Sequence, residues 1–201
     1  MYQNYKYARD RAWKTLIECK INQFPVNLAV IANFYNISII KYSQSNDTFT
    51  GDGFSTMVDG RLIVYYNDID YPITRQRFTM AHELGHCLLG HLKFGKTYNR
   101  NSEKDFDGID IYEMQANVFA RDLLMPATVL HSLNVSSADD ISNICNVSMQ
   151  SAGIRFNRLL ELNKRGMFNK HPFERQVHIQ FEDYIKKECK LCNSLHSKRE
   201  F

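Results

Sequence analysis

Three residues set the chemistry of this chain: His82, Glu83 and His86, in the run Thr79-Met80-Ala81-His82-Glu83-Leu84-Gly85-His86-Cys87-Leu88. Each residue of an α-helix advances about 100°, so the two histidines project from one face a turn apart, where two imidazoles bind one metal ion. Glu83 flanks that pair. A carboxylate there reaches a water at the open position of the metal and takes its proton, the general-base arrangement of zinc-dependent hydrolysis. With seven histidines in 201 residues, composition alone yields H-E-x-x-H in roughly one such chain in a hundred, so the context decides. Apart from the motif's own three residues, every position from Thr79 to Leu88 is uncharged, as a helix beneath a cleft requires. Phe78, Leu84 and Leu88 add apolar contacts at helical spacing.

Catalytic zinc takes three protein ligands and a water, so a third ligand is needed downstream. His91 stands five residues past His86. On a continued helix it would lie about 180° from His82, and Gly90 ends the helix before it, which leaves His91 a loop or helix-cap role. Glu113 is the better candidate, in Glu113-Met114-Gln115-Ala116-Asn117-Val118-Phe119-Ala120, because an unpaired carboxylate on an apolar helix is costly to bury. Ala116 and Ala120 are small enough to let this helix approach the His82/His86 helix, bringing a carboxylate oxygen within about 2 Å of the ion. Asn117, one turn beyond Glu113, is placed to hydrogen-bond a ligand from outside the coordination sphere. For an oxyanion donor the sequence leaves Tyr65, Tyr98, Tyr112 and His131 open.

Around these residues the pattern predicts an α+β fold of the zincin type, a small antiparallel sheet packed against a mainly helical body. Residues 8–20 and 25–35 read as helices, the second opened by Pro25. Ile37 to Tyr42 reads as a strand, followed by a polar loop from Ser43 to Gly53. A hairpin then joins Phe54–Val58 to Arg61–Tyr66 through Asp59-Gly60, a pair that tolerates the positive φ angles of a type I′ turn. In zincin proteases the outermost strand pairs with an extended substrate. Arg61 to Tyr66, with Tyr65 as the named residue, is the candidate for that strand, its alternative being an interior strand. The metal-motif helix starts at Pro72 or Thr74 and ends at Gly90. Lys93 to Gly108 reads as a surface loop, a helix runs from Ile109 to Pro126, and further helices cover 126–133, 137–145 and 148–163. The expected division is a metallopeptidase domain over residues 1–165 and a basic C-terminal tail over 166–201.

The hydrophobic content of 44% is that of a globular protein. The N-terminus carries charges where a signal peptide needs an apolar stretch, and no segment reaches the roughly 18 apolar residues of a membrane span. Five cysteines, odd in number and scattered, suit a reducing compartment. A cytoplasmic protein without a membrane partner is expected. The net charge of +3 is uneven: residues 164–201 carry nine Lys/Arg against five Asp/Glu, and residues 1–20 carry five against two. Such mildly basic ends are a solvated surface rather than a nucleic-acid footprint.

His82-Glu83-Leu84-Gly85-His86, followed by Glu113-x-x-Ala116-Asn117-x-Phe119-Ala120 and Leu124-Met125-Pro126, resembles the ImmA/IrrE family of bacterial and phage metallopeptidases over roughly residues 25–160. The resemblance implies a gluzincin-like site with His82, His86 and Glu113 on Zn2+, and Glu83 as catalytic base. It also implies a helix-turn-helix repressor as the protein substrate, whose cleavage derepresses mobile-element or stress genes. Two other readings compete. Residues 137–160 outline a helix-turn-helix with Arg155, Asn157 and Arg158 along its second helix, which would suit a DNA-binding or non-proteolytic zinc-sensing partner. In the tail, Cys189-Lys190-Leu191-Cys192 with His196, completed by His178 or His171, would suit a second zinc. The sequence is silent on oligomeric state.

Overall fold

The computed structural model describes residues 2–45, 51–92 and 111–197, with side chains to Lys190. Helix α1 (Tyr2–Glu18) starts earlier than the apolar stripe suggested, and buries that stripe through Ala8, Ala12 and Leu16. Helix α2 (Leu28–Phe34) is opened by Asn27, whose side chain accepts from the backbone N–H groups of Ala29 and Val30, and not by Pro25. An Asx cap satisfies two of the donors that every helix start leaves orphaned, which Pro25 cannot do.

Strands β1 (Ser38–Lys41), β2 (Gly53–Val58) and β3 (Arg61–Tyr66) form one sheet in the order β1-β3-β2. The β2–β3 hairpin turns at Asp59 and Gly60, both with positive φ (49° and 75°), the type I′ geometry that the Asp-Gly pair favours. Two expectations need correction. The sheet is mixed rather than antiparallel, because β1 runs parallel to β3, with Ser38 opposite Ile63 and Lys41 opposite Tyr66. Arg61–Tyr66 is the central strand and is bonded on both sides, so Tyr65 does not sit on an edge that could take up another strand; β2 does.

Helix α3 (Ile73–Leu88) packs on β2, β3 and α4 (Ile111–Leu124). Behind them come α5 (Ala127–Ser132), α6 (Ala138–Cys145), α7 (Met149–Lys164), α8 (Pro172–Gln180) and α9 (Glu182–Ser197). A single apolar core runs from Leu16, Ile31 and Val64 through Leu84, Phe119 and Leu123 to Ile141 and Ala152, and it includes Val177 and Phe181, both fully buried. The core thus takes in side chains from beyond residue 165. Helix α8 docks on α1 and α5, because Val177 and Phe181 lie four apart on one helical face.

Candidate active site

Helices α3 and α4 cross closely because Gly85, inside the metal motif, has no side chain. A Cβ there would meet the Phe119 ring at 3.1 Å and the Ala116 Cα at 3.3 Å. Ala116 and Ala120, both fully buried, complete the seam, as the small residues predicted. This contact carries Glu113, in the first turn of α4, to the histidines of α3. Glu113 Oε2 lies 3.4 Å from His82 Nε2, Glu113 Oε1 lies 3.3 Å from His86 Nε2, and the two Nε2 atoms are 3.1 Å apart.

The remaining ring nitrogens explain why these atoms converge. His82 Nδ1–H donates to Asn117 Oδ1 at 3.0 Å, which leaves its Nε2 as a lone pair. For His86 the partner is His91. His91 Nε2–H donates to Gln115 Oε1 at 2.8 Å, so its Nδ1 accepts from His86 Nδ1–H at 3.0 Å and the Nε2 of His86 is likewise a lone pair. The Nε2 atoms of both imidazoles and the Glu113 carboxylate thus face one point. A cation at that point would be held by all three groups. Ligands on a tetrahedral ion at 2.0–2.1 Å are separated by roughly 3.3 Å, so the three measured spacings fit a divalent metal. Among the described residues these three are the one His/Cys/Asp/Glu cluster able to hold an ion.

His91, expected from the sequence only to sit in a loop or helix cap, does cap α3 and also bonds His86. Gly90 ends α3 with φ 76°, and the His91 N–H turns back to the His86 carbonyl at 3.0 Å while Gly90 N–H reaches Cys87 O. This pairing is a Schellman cap. It reverses the chain, so a ring that a continued helix would point away is folded against His86, where Tyr112 stacks on it at 4.5 Å. Gly-His directly after the motif was the available signal.

Burial by itself would raise the Glu113 carboxyl, but His82 and His86 beside it outweigh that and hold the group well below the usual carboxylate range. Cys87, beside His86, is a buried thiol pushed up to about 12 by desolvation, which keeps it protonated and out of the ligand set. Glu83 is also buried, and Ser55 Oγ on β2 donates to its Oε2 at 2.8 Å. Arg11 of α1 donates to the Leu88 carbonyl and Tyr7 to that of Leu89, so α1 satisfies the last carbonyls of the metal-motif helix.

These groups line a cleft of about 600 Å³ walled by Gly51, Asp52 and Gly53 at the start of β2, by Phe78 and Thr79 of α3, and by Ser148, Ser151 and Ile154 of α7. A family model described as the IrrE N-terminal-like domain of the peptidase M78 group matches residues 35–157. The chain belongs to this peptidase family. A comparison with curated proteins found no match. The M78 match runs from just before β1 into α7, and so contains every residue of the cleft.

Within this M78 peptidase several expected roles fall elsewhere. Tyr65 stacks on Phe54, Tyr112 on His91 and His131 on Phe168; none of them lines the cleft, and Tyr98 lies outside the described residues. Helices α6 and α7 do form a helix-turn-helix, with a Ser137/Asp140 capping box and Asn146 in the left-handed conformation. Arg155, however, is buried, bonded to Asp122 Oδ1 at 2.8 Å and to the Met125 carbonyl at 2.7 Å, and the first turns of α7 face the cleft. A recognition helix needs those turns open to a groove. In the tail, His178 bonds Ser132 Oγ and His171 caps α8; the side chains of Cys192 and His196 lie outside the described residues. No helix among the described residues is long and apolar enough to cross a membrane.

Proposed function

We propose that this M78 peptidase is a zinc endopeptidase that cuts a helix-turn-helix repressor in the cytoplasm, with His82, His86 and Glu113 holding the metal and Glu83 as general base. The observation that carries this reading is the convergence of two imidazole nitrogens and a carboxylate at tetrahedral spacing. Hard and soft cations differ in donor preference, and a His-His-carboxylate set with room for water is the catalytic zinc pattern. The four described cysteines, all unpaired, support a reducing compartment.

When bound, the ion acidifies water and polarises the scissile carbonyl. The chain does the rest. Asn117 and the His91–Gln115 pair keep both imidazoles in the tautomer that presents Nε2. Ser55 holds one oxygen of Glu83, which fixes the direction of the other, so that Glu83 takes the proton of the attacking water and returns it to the leaving amine. The outer edge of β2, whose first residue Gly53 lines the cleft, is the edge available to pair with an extended substrate backbone.

The decisive experiment mixes the zinc-loaded protein with the neighbouring gene's product, the expected repressor, and reads the products by mass spectrometry. One defined cut by the native protein, absent with Glu83→Gln although zinc is retained, is the expected result. An intact repressor in both samples would end the endopeptidase reading and leave a zinc-responsive binding partner.

A further inference from the structure

A cavity of about 150 Å³, walled by α1, α7 and the start of α8, shares no lining residue with the metal cleft. Apart from Asp122, Ala127 and Arg155, its lining comes from outside residues 35–157, the stretch that the M78 family model matches. It is therefore a feature of this chain's own flanking helices.

The lining is cationic. Arg9, Arg155, Arg158, Arg165 and Lys170 stand there against Asp122 and Glu174, and both carboxylates are already engaged. Asp122 is shared by Arg121 and Arg155, while Glu174 Oε2 accepts the backbone N–H groups of Lys170 and His171. Arg9 and Arg158 each pair with a neighbour on their own helix, Asp10 and Glu161. Arg165 and Lys170, both exposed, have no carboxylate partner among the described residues. Arg155 is the buried member, 1% exposed. Its Nε and Nη2 donate to the Met125 carbonyl and Asp122 Oδ1, and no bond among the described residues uses its Nη1. Guanidinium forks match the oxygens of a phosphate. The rest of the lining includes Trp13, Leu162 and Met167, with the Arg9 guanidinium 4.5 Å over the Trp13 ring. A space of this size takes a group about as large as benzene, which suits a phosphate carrying a short organic group and not a whole nucleotide.

We propose that this cavity is a second ligand site, separate from the metal, that binds a small phosphate monoester. Arg155, Arg158, Arg165 and Lys170 hold the dianion, and Trp13, Leu162 and Met167 take its organic part.

Trp13 is the chain's single tryptophan, so its emission reports on this cavity. With the full chain at constant ionic strength, phenyl phosphate should change that emission saturably, with a midpoint below about 1 mM. Inorganic phosphate should compete with it, and phenol should do neither. Melting temperature, read in the same phenyl phosphate series, should rise as for any ligand of the native state. Arg165→Gln combined with Lys170→Gln, two changes at exposed positions, should weaken phenyl phosphate roughly tenfold or more, as the loss of charge-assisted contacts does. Zinc-loaded and zinc-free protein should bind it alike, which keeps the outcome independent of the peptidase reading. Absence of both the emission change and the rise in melting temperature, an equal response to phenol, or unaltered affinity in the double variant would overturn the site. Binding that disappears with the zinc would place the phosphate at the metal and overturn it as well.

Discussion

Two buried polar clusters lie one helix face apart on α4, and they are built on opposite principles. In the first, Arg155 and Arg121 aim donors at Asp122, and Arg155 also caps the Met125 carbonyl; donors meet acceptors and charge meets countercharge. In the second, His82, His86 and Glu113 aim acceptors at one another, while their donors are turned outward to Asn117 and His91. The first cluster holds α4 to α7 and, among the described residues, leaves the Arg121 Nε–H without a partner. The second turns its groups toward one point of the cleft, where a metal would be held. The lesson is that buried polarity serves the fold where donors meet countercharge and marks chemistry where ligand-type groups converge on one point.

The contrast is breakable. Glu113→Ala should keep the fold, as read by circular dichroism, yet lower zinc affinity by more than the 10- to 100-fold typical of losing an outer partner; undiminished affinity in a chelator competition would remove Glu113 from the ligands. Asp122→Asn should do the reverse, destabilising by about 3–5 kcal/mol in urea melts because two buried guanidinium groups lose their counter-ion. Burial pushes the Asp122 carboxyl up, but Arg155 and Arg121 outweigh it and depress it below the ordinary aspartate value. Its contribution is therefore present above the unfolded pKa of about 3.9 and fades as pH falls toward the depressed folded value. The gap between native and Asp122→Asn stabilities should narrow in that window, and a gap constant down to pH 2 would contradict the ion-pair account.

Smaller effects sharpen the second cluster. His91→Ala should weaken zinc binding about 10- to 100-fold through loss of the tautomer lock on His86, with little change in melting temperature; unaltered affinity would make His91 a packing residue. Ser55→Ala should leave zinc content untouched and cut kcat by roughly tenfold, one hydrogen bond to a charged group. A parallel loss of metal would show that Ser55 acts on the site's structure instead.

Much of this was legible in the chain before folding is considered. The metal motif, the alanine seam of α4, the Asp59-Gly60 hairpin and the helix stop at Gly90 each depend on neighbours within a turn or two, where φ/ψ preference and 3.6-residue spacing speak directly. The parallel pairing of β1 was not legible, because residues 38–41 must find residues 63–66 and nothing local records the direction of that meeting. Arg155 looked like a surface reader of DNA for the same reason: its partner Asp122 is 33 residues away.

By itself, then, the order of residues determined which side chains could act and which helices would carry them, since periodicity and caps are properties of contiguous chain. Only the tertiary structure decided that β2 rather than β3 lies at an edge of the sheet, that His91 turns back onto His86, and that α8 joins the core. Each of those is settled by contacts between distant segments, and their free energy exists only once the chain has closed the loops between them.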